Sequence, residues 1–210
     1  MGLVLYDHPV SSNALKVRFL LAELGLDYEK VHVPFAWPRP EWFTRHHPFG
    51  RIPLLEDGDV RVGESNTILR YLAHREGRRD LYPEAPGERA QVDWALDTWS
   101  TQVRPALSPL ESAVVFNRDV EKGDGDLASA DPDEVTAGVA KAQGPLDAFE
   151  RFVAGNGTVL GEFTIADCAV GPVLWRSNRL PLSFERWPKL SLLRDTIGAR
   201  PSFVAAGPVA

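Results

Sequence analysis

Two short runs of hydroxyl-bearing residues, each set just ahead of an apolar helical pattern, are where this 210-residue chain could do chemistry. In one, Gly63-Glu64-Ser65 precedes Ile68, Leu69 and Leu72, a spacing that puts the apolar residues on one helical face. Ser65 then stands where a helix has unpaired N–H groups and the positive end of its dipole, a natural seat for a carboxylate or phosphate. In the other, Ser11-Ser12-Asn13 precedes Val17, Leu20, Leu21 and Leu24, at i, i+3, i+4 and i+7. Ser and Asn are favoured at a helix N-cap with or without a ligand, so residue type alone leaves a plain cap and a ligand-facing donor both open. Two other sets are set aside. His46 and His47 are adjacent and cannot share a helical face as zinc ligands spaced i, i+4 do, so no metal is assigned. Cys168 lies inside an apolar helix and reads as a small core residue.

These residues need elements to position them. The stretch Arg51–Leu72 reads as a hairpin and a helix: Leu54–Glu56 and Val60–Val62 flank Asp57-Gly58, a pair that tolerates positive φ at both turn positions. Pro53 cannot donate to a strand ladder and pushes Ile52 into an extended conformation. Upstream, Leu3–Tyr6 reads as a first strand and His8–Asn13 as a turn. A helix from about Ser12 to Leu24 follows, with Gly25 at C′, then a second strand over Tyr28–Val33. Strand, short helix and strand imply a parallel pair with a right-handed crossover. Pro34 to Pro48 is Pro- and Trp-rich, with one helical turn around Glu41–Arg45.

The expected βαβ–ββα unit ends near Gly77, and Arg78–Gly87 reads as a linker. Beyond it the period is helical throughout. Val92, Leu96, Trp99 and Val103 share a face, and Pro105 and Pro109 should distort their helix. Glu121–Ala130 is a glycine-rich acidic loop. Asp131-Pro132-Asp133-Glu134 reads as a helix start, and Val135, Val139, Ala142, Leu146, Phe149 and Val153 form a seam that Gly144-Pro145 should bend. Thr164 and Asp167 read as a capping box, and Leu190, Leu193 and Ile197 support a last helix. The fold class is therefore α/β plus all-α, with one domain over 1–78 and a helical one over 88–210.

Composition narrows the partners. A formal net charge of -6 and a pI near 5.4 disfavour general nucleic-acid or anionic-membrane binding. No apolar run approaches the roughly 20 residues needed to span a bilayer. The N-terminus lacks a basic region and goes straight into a strand, so no signal peptide is expected. One cysteine excludes an intramolecular disulfide and suits a reducing cytosol.

The order Ile-Pro strand, Gly turn, second strand, then Glu-Ser opening a helix resembles the glutathione-binding half of the glutathione S-transferase family. Thr164-x-x-Asp167 resembles the capping box of that family's helical domain. The resemblance implies a thioredoxin-like N-terminal domain, a helical-bundle C-terminal domain, cytoplasmic location and a homodimer. It implies a cis Ile52-Pro53 bond, with the Ile52 backbone pairing with the cysteinyl unit of glutathione. Glu64 and Ser65 would hold its γ-glutamyl amine and carboxylate, and Arg51 would meet its glycine carboxylate. Ser11 resembles the catalytic serine that hydrogen-bonds the glutathione thiolate, with Ser12 and Asn13 as close alternatives and Tyr6 as a competing donor. Trp99, Val103 and Leu107 line the pocket for a small electrophile or form a core stripe. His47-Pro48-Phe49-Gly50 departs from the family's Asn-Pro-x-Gly lead-in. The function implied is a transferase that activates the thiol of glutathione for attack on an electrophile. A glutathione-dependent disulfide reductase, isomerase or dehalogenase, or a non-catalytic interaction protein of the same fold, is the alternative.

Overall fold

The computed structural model describes residues 2–208; residues 1 and 209–210, the last two of the expected helical domain, lie outside the described residues. Strands β1 (Leu3–Asp7), β2 (Tyr28–His32), β3 (Leu54–Asp57) and β4 (Val60–Gly63) form one sheet in the order β2-β1-β3-β4. The β1–β2 pair is parallel and the other two are antiparallel, as the strand–helix–strand and Asp-Gly signals require. The β1–β3 ladder runs from Leu3↔Asp57 to Tyr6↔Leu54, so Ile52 lies just beyond its end.

Alternation along β1 divides the two faces of the sheet. Leu3 and Leu5 join the core formed with helices α1 (Ser12–Leu24) and α3 (Ser65–Arg75), whereas Tyr6 joins a smaller cluster with Ile52, Leu54 and Phe43 of the one-turn helix α2 (Glu41–Thr44). Helix α1 ends as its sequence predicts. Gly25 adopts φ 65°, where a Cβ would be strained, and its N–H and that of Leu26 close on the carbonyls of Ala22 and Leu21.

The remaining helices are α4 (Pro86–Thr98), α5 (Arg104–Val114), α6 (Pro132–Phe149), α7 (Ile165–Arg176), α8 (Pro188–Gly198) and α9 (Pro201–Ala205). Between α4 and α5 the backbone makes a π turn over Trp99–Val103, and the Arg104 N–H reaches back to the Trp99 carbonyl. Pro105 has no N–H to continue an α ladder, and the wider turn falls immediately before it. The distortion expected of Pro105 is therefore real; Pro109 is accommodated inside α5. Helix α6 likewise runs through Gly144-Pro145 as one element. Trp99, Val103 and Leu107 are buried in the main core, which decides for the core stripe. The segment read as a linker is packed rather than free: Leu81 is buried and its carbonyl accepts the Ile165 N–H. No helix among the described residues is long and apolar enough to cross a membrane.

The start of α7 carries the predicted capping box. Asp167 accepts N–H groups from Thr164 (2.8 Å) and Val159 (2.7 Å), and the Thr164 hydroxyl accepts the Ala166 N–H (3.2 Å). Burial pushes the Asp167 carboxyl up to about 7, although these donors favour the charged form. Replacing Asp167 by alanine strands two buried donors and should cost about 2–4 kcal/mol of stability, measured as a lower urea midpoint. Because its folded-state value lies above the ordinary 3.8, this carboxyl's contribution is fully present below that pH. It is lost as pH rises through about 7, a dependence the Asp167→Ala protein should lack in parallel urea titrations.

Candidate active site

The turn between β1 and α1 is held from several sides. Arg18, reaching down from α1, pairs with buried Asp7 (3.4 Å) and donates to the Pro9 carbonyl (3.2 Å). Arg176, from the end of α7, donates to the Val10 carbonyl. The Ser11 N–H closes on the His8 carbonyl (3.0 Å). Ser11 is thereby fixed as the N-cap of α1, its hydroxyl oxygen accepting the Ala14 N–H (3.2 Å). An oxygen that accepts there keeps its own O–H to give elsewhere.

That turn opens on a cleft of about 430 Å³. Five of the residues singled out in the sequence line it together: Ser11, Ser12, Asn13, Arg51 and Ile52. Pro53, Glu64 and Ser65 are not on its lining: Pro53 is buried, and Glu64 and Ser65 open α3. The Ile52–Pro53 bond is cis, as the resemblance implies; a second cis bond, Trp37–Pro38, had no signal in the sequence. Glu64 sits at φ 61°, a left-handed conformation unusual for a residue with a Cβ and of the kind that collects at ligand sites. Ser65 follows as the first residue of α3.

Tyr6 faces elsewhere. Its hydroxyl donates to Glu56 (3.0 Å), and burial together with that carboxylate holds its pKa above the ordinary value. It does not line the cleft. The departure at His47 also has an account: its Nδ1 accepts the Phe49 N–H (3.2 Å) and its carbonyl the Gly50 N–H (2.8 Å), closing the turn with a side-chain acceptor as an Asn would. Gly50 has φ 57°, and a Cβ there would meet the Arg39 side chain at 3.0 Å. The loop leading to Arg51 needs glycine at that point.

The sequence missed the far wall of the cleft. It is formed by Phe35, Trp37 and Arg39 from the loop after β2, and by Arg104, Phe116 and Arg176 from the helical part. Arg104 and Arg176 both pair with Glu111, a buried carboxylate of α5, and Arg104 also approaches the Ser12 hydroxyl (3.5 Å). Lys16, one turn into α1, is buried beside this group. Burial, and then the Arg104 charge, lower its ammonium to about 7 against the opposing pull of Glu111 and Glu64. The only advance signal for Arg104 was its place before Pro105.

The acidic loop is missed in the same way. Glu121 accepts the N–H groups of Phe35 (2.9 Å) and Ala36 (2.5 Å) and the Nε2–H of His8 (3.0 Å), whose Nδ1 in turn accepts the Val10 N–H (3.3 Å). Burial holds His8 below its ordinary pKa, in keeping with that neutral tautomer. His8, His32 and Glu121 bring their ligand atoms within 4.8 Å of one another, but the hydrogen bonds just named already engage His8 and Glu121.

Comparison with known proteins points to one family. The profile of "Glutathione S-transferase, N-terminal domain" matches residues 1–74, and that of "Glutathione S-transferase, C-terminal domain" matches residues 132–196. Glutathione S-transferase 3 of Zea mays is 35% identical over 99% of this chain and 95% of its own length. Glutathione S-transferase GstB of Escherichia coli is 28% identical over 95% of each. The theta class glutathione S-transferase of Xanthomonas axonopodis pv. citri, solved with glutathione bound, superposes with a TM-score of 0.86 at 25% identity, covering 100% of this chain and 99% of that one. A thioredoxin-like sheet followed by a helical bundle, matched in sequence over nearly its whole length, places this chain in the glutathione S-transferase family.

Proposed function

We propose that this enzyme binds glutathione between Arg51-Ile52 and the start of α3, and that Ser11 donates its hydroxyl to the glutathione thiolate for attack on an electrophile. The single observation that carries the reading is the meeting of Ser11 and Ile52 in one cleft, 41 positions apart in sequence, with the Ser11 oxygen already accepting the Ala14 N–H. A free thiol has a pKa of about 8.5, and a hydrogen bond to the thiolate beside a helix N-terminus lowers it. The sulfur lone pair then forms the C–S bond, the leaving group departs with its bonding pair, and the thiol proton passes to solvent. Ile52, beyond the last rung of the β1–β3 ladder, would pair its backbone with the cysteinyl unit; its lying outside that ladder supports this reading. Glu64 receives the γ-glutamyl ammonium, and the Ser65 hydroxyl with the α3 N–H groups receives its carboxylate. The boundary between the glutathione-binding domain (1–78) and the helical domain (88–210) belongs to the same proposal.

Isothermal titration of reduced glutathione into the purified protein should give micromolar to low-millimolar binding. No heat, together with no competition by oxidised glutathione, would move the non-catalytic reading to first place. Ser11→Ala should lower turnover at least about tenfold with little change in glutathione affinity, once circular dichroism shows that loss of the cap has left the fold intact. Unchanged turnover would remove Ser11 from the role. Glu64→Gln and Ser65→Ala should each weaken glutathione binding by about tenfold while the folded protein persists, since each removes a charge-assisted contact. An unchanged dissociation constant in both would shift the γ-glutamyl site away from α3.

A further inference from the structure

The charge on the cleft wall exceeds what glutathione accounts for. Among the described residues four guanidinium groups line the cleft, those of Arg39, Arg51, Arg104 and Arg176, and no carboxylate does. Arg39 is structural: it donates to the Pro34, Ala36 and Gly50 carbonyls and lies against the Phe35 and Trp37 rings. Arg51 is exposed on the side assigned above to the glycine carboxylate of glutathione. Arg104 and Arg176 remain, and they share one carboxylate, Glu111, which is buried behind them. Glu121, held on the Phe35 and Ala36 N–H groups, acts on the Arg39 charge, so Arg104 and Arg176 against Glu111 leave a net positive charge at the Ser11–Ser12 end of the cleft. Lys16 adds to it in its protonated form.

The apolar surface beside these cations is aromatic. Phe35 and Phe116 are stacked, with centroids 5.7 Å apart and planes 24° apart, and the Arg176 guanidinium lies over the Phe116 ring. Phe35 comes from the sheet side of the cleft and Phe116 from the helical side, so the aromatic wall and the cationic patch meet where a second substrate would face the sulfur. A partly desolvated cation selects strongly for charge of the opposite sign, because a neutral ligand leaves it without the water it has given up.

Resting on the reading that glutathione occupies this cleft, we infer that the electrophilic substrate is an organic acid, an apolar body bearing a carboxylate that docks on Arg104 and Arg176 while its apolar part packs against the Phe35–Phe116 pair. The carboxylate stays intact through the reaction and takes no part in the bond that breaks.

The test compares two haloarenes, chlorodinitrobenzene and its ring-carboxylated analogue chlorodinitrobenzoate, each rate divided by its uncatalysed reaction with glutathione. The native enzyme should favour the acid by at least about tenfold in kcat/KM, and the preference should shrink as ionic strength rises. In Arg104→Gln the ratio should fall to within about threefold of one. The charge-balanced double variant Arg104→Gln/Glu111→Gln gives the same readout if the single change leaves Glu111 unpaired and the protein poorly folded. A native ratio at or below one, with measurable turnover of the neutral haloarene, overturns the inference and leaves the glutathione reading standing. A native preference that survives in a folded variant overturns the assignment to Arg104. Absence of turnover with both haloarenes, together with no glutathione heat by calorimetry, overturns the underlying reading and this inference with it.

Discussion

Glu111 is a carboxylate taken out of water in the middle of α5, and the arrangement of the cleft follows from what must be placed around it. Removing a charge from water costs several kcal/mol even after relaxation, so the ion must be answered by cations of good geometry. Arg104 answers one oxygen directly, and Arg176 lies 3.8 Å from the other. Each arginine has a second contact that points away from Glu111: Arg176 donates to the Val10 carbonyl, and Arg104 approaches the Ser12 hydroxyl. One buried anion thereby ties α5 and α7 to the turn that carries Ser11. The network is not fully satisfied, since Glu111 Oε1 accepts no hydrogen bond among the described residues. Position, more than stability, is what such a group supplies.

The same turn is gripped from its other end by a separate device. Glu121 crosses from the loop after α5 to cap the N–H groups of Phe35 and Ala36 and to fix the His8 tautomer. Arg18 ties the turn to α1, and the two arginine contacts tie it to the helical bundle. Local propensity alone would make His8–Ser11 an ordinary loop. Contacts from four separate segments make it a fixed platform for the Ser11 hydroxyl.

What the sequence made legible was local. Gly25, Asp57-Gly58 and Thr164-x-x-Asp167 each impose their geometry within four residues, and each appears in the structure where its chemistry demands. Ser11 and Ile52 were legible because each sits at an element end that its own neighbours define. Arg104, Arg176, Phe116 and Glu121 were not, because nothing near them in sequence distinguishes a cleft arginine from a solvated one or a capping glutamate from a loop charge. Their roles depend on pairing across separations as large as the 166 residues between Val10 and Arg176. The π turn was half legible: Pro105 announces a missing N–H, but that the backbone answers with a wider turn rather than a kink depends on the packing of Trp99 and Val103. Gly144-Pro145 shows the converse, a breaker signal overridden where the flanking Ala142, Leu146 and Phe149 are all buried against the core.

A neutral serine hydroxyl is a modest donor, and lowering a thiol's pKa by even one unit requires about 1.4 kcal/mol of preference for the thiolate. On the proposed reading, the fixed cations at this end of the cleft act in the same direction as Ser11, because their field favours any anion near them whether or not it touches them. That shared field creates a constraint of its own. A thiolate and an acidic second substrate repel at close range, so both can occupy the cleft only if their charges are held apart and separately answered. Arg104 approaches the Ser12 hydroxyl and Arg176 lies over the Phe116 ring, so the two guanidinium groups offer separate contacts beside the Ser11 turn while sharing Glu111. On the reading inferred above, Ser11 and the start of α1 answer the thiolate and the arginines answer the carboxylate of the second substrate, which is a reason for the helical part to contribute guanidinium groups and not a purely apolar wall.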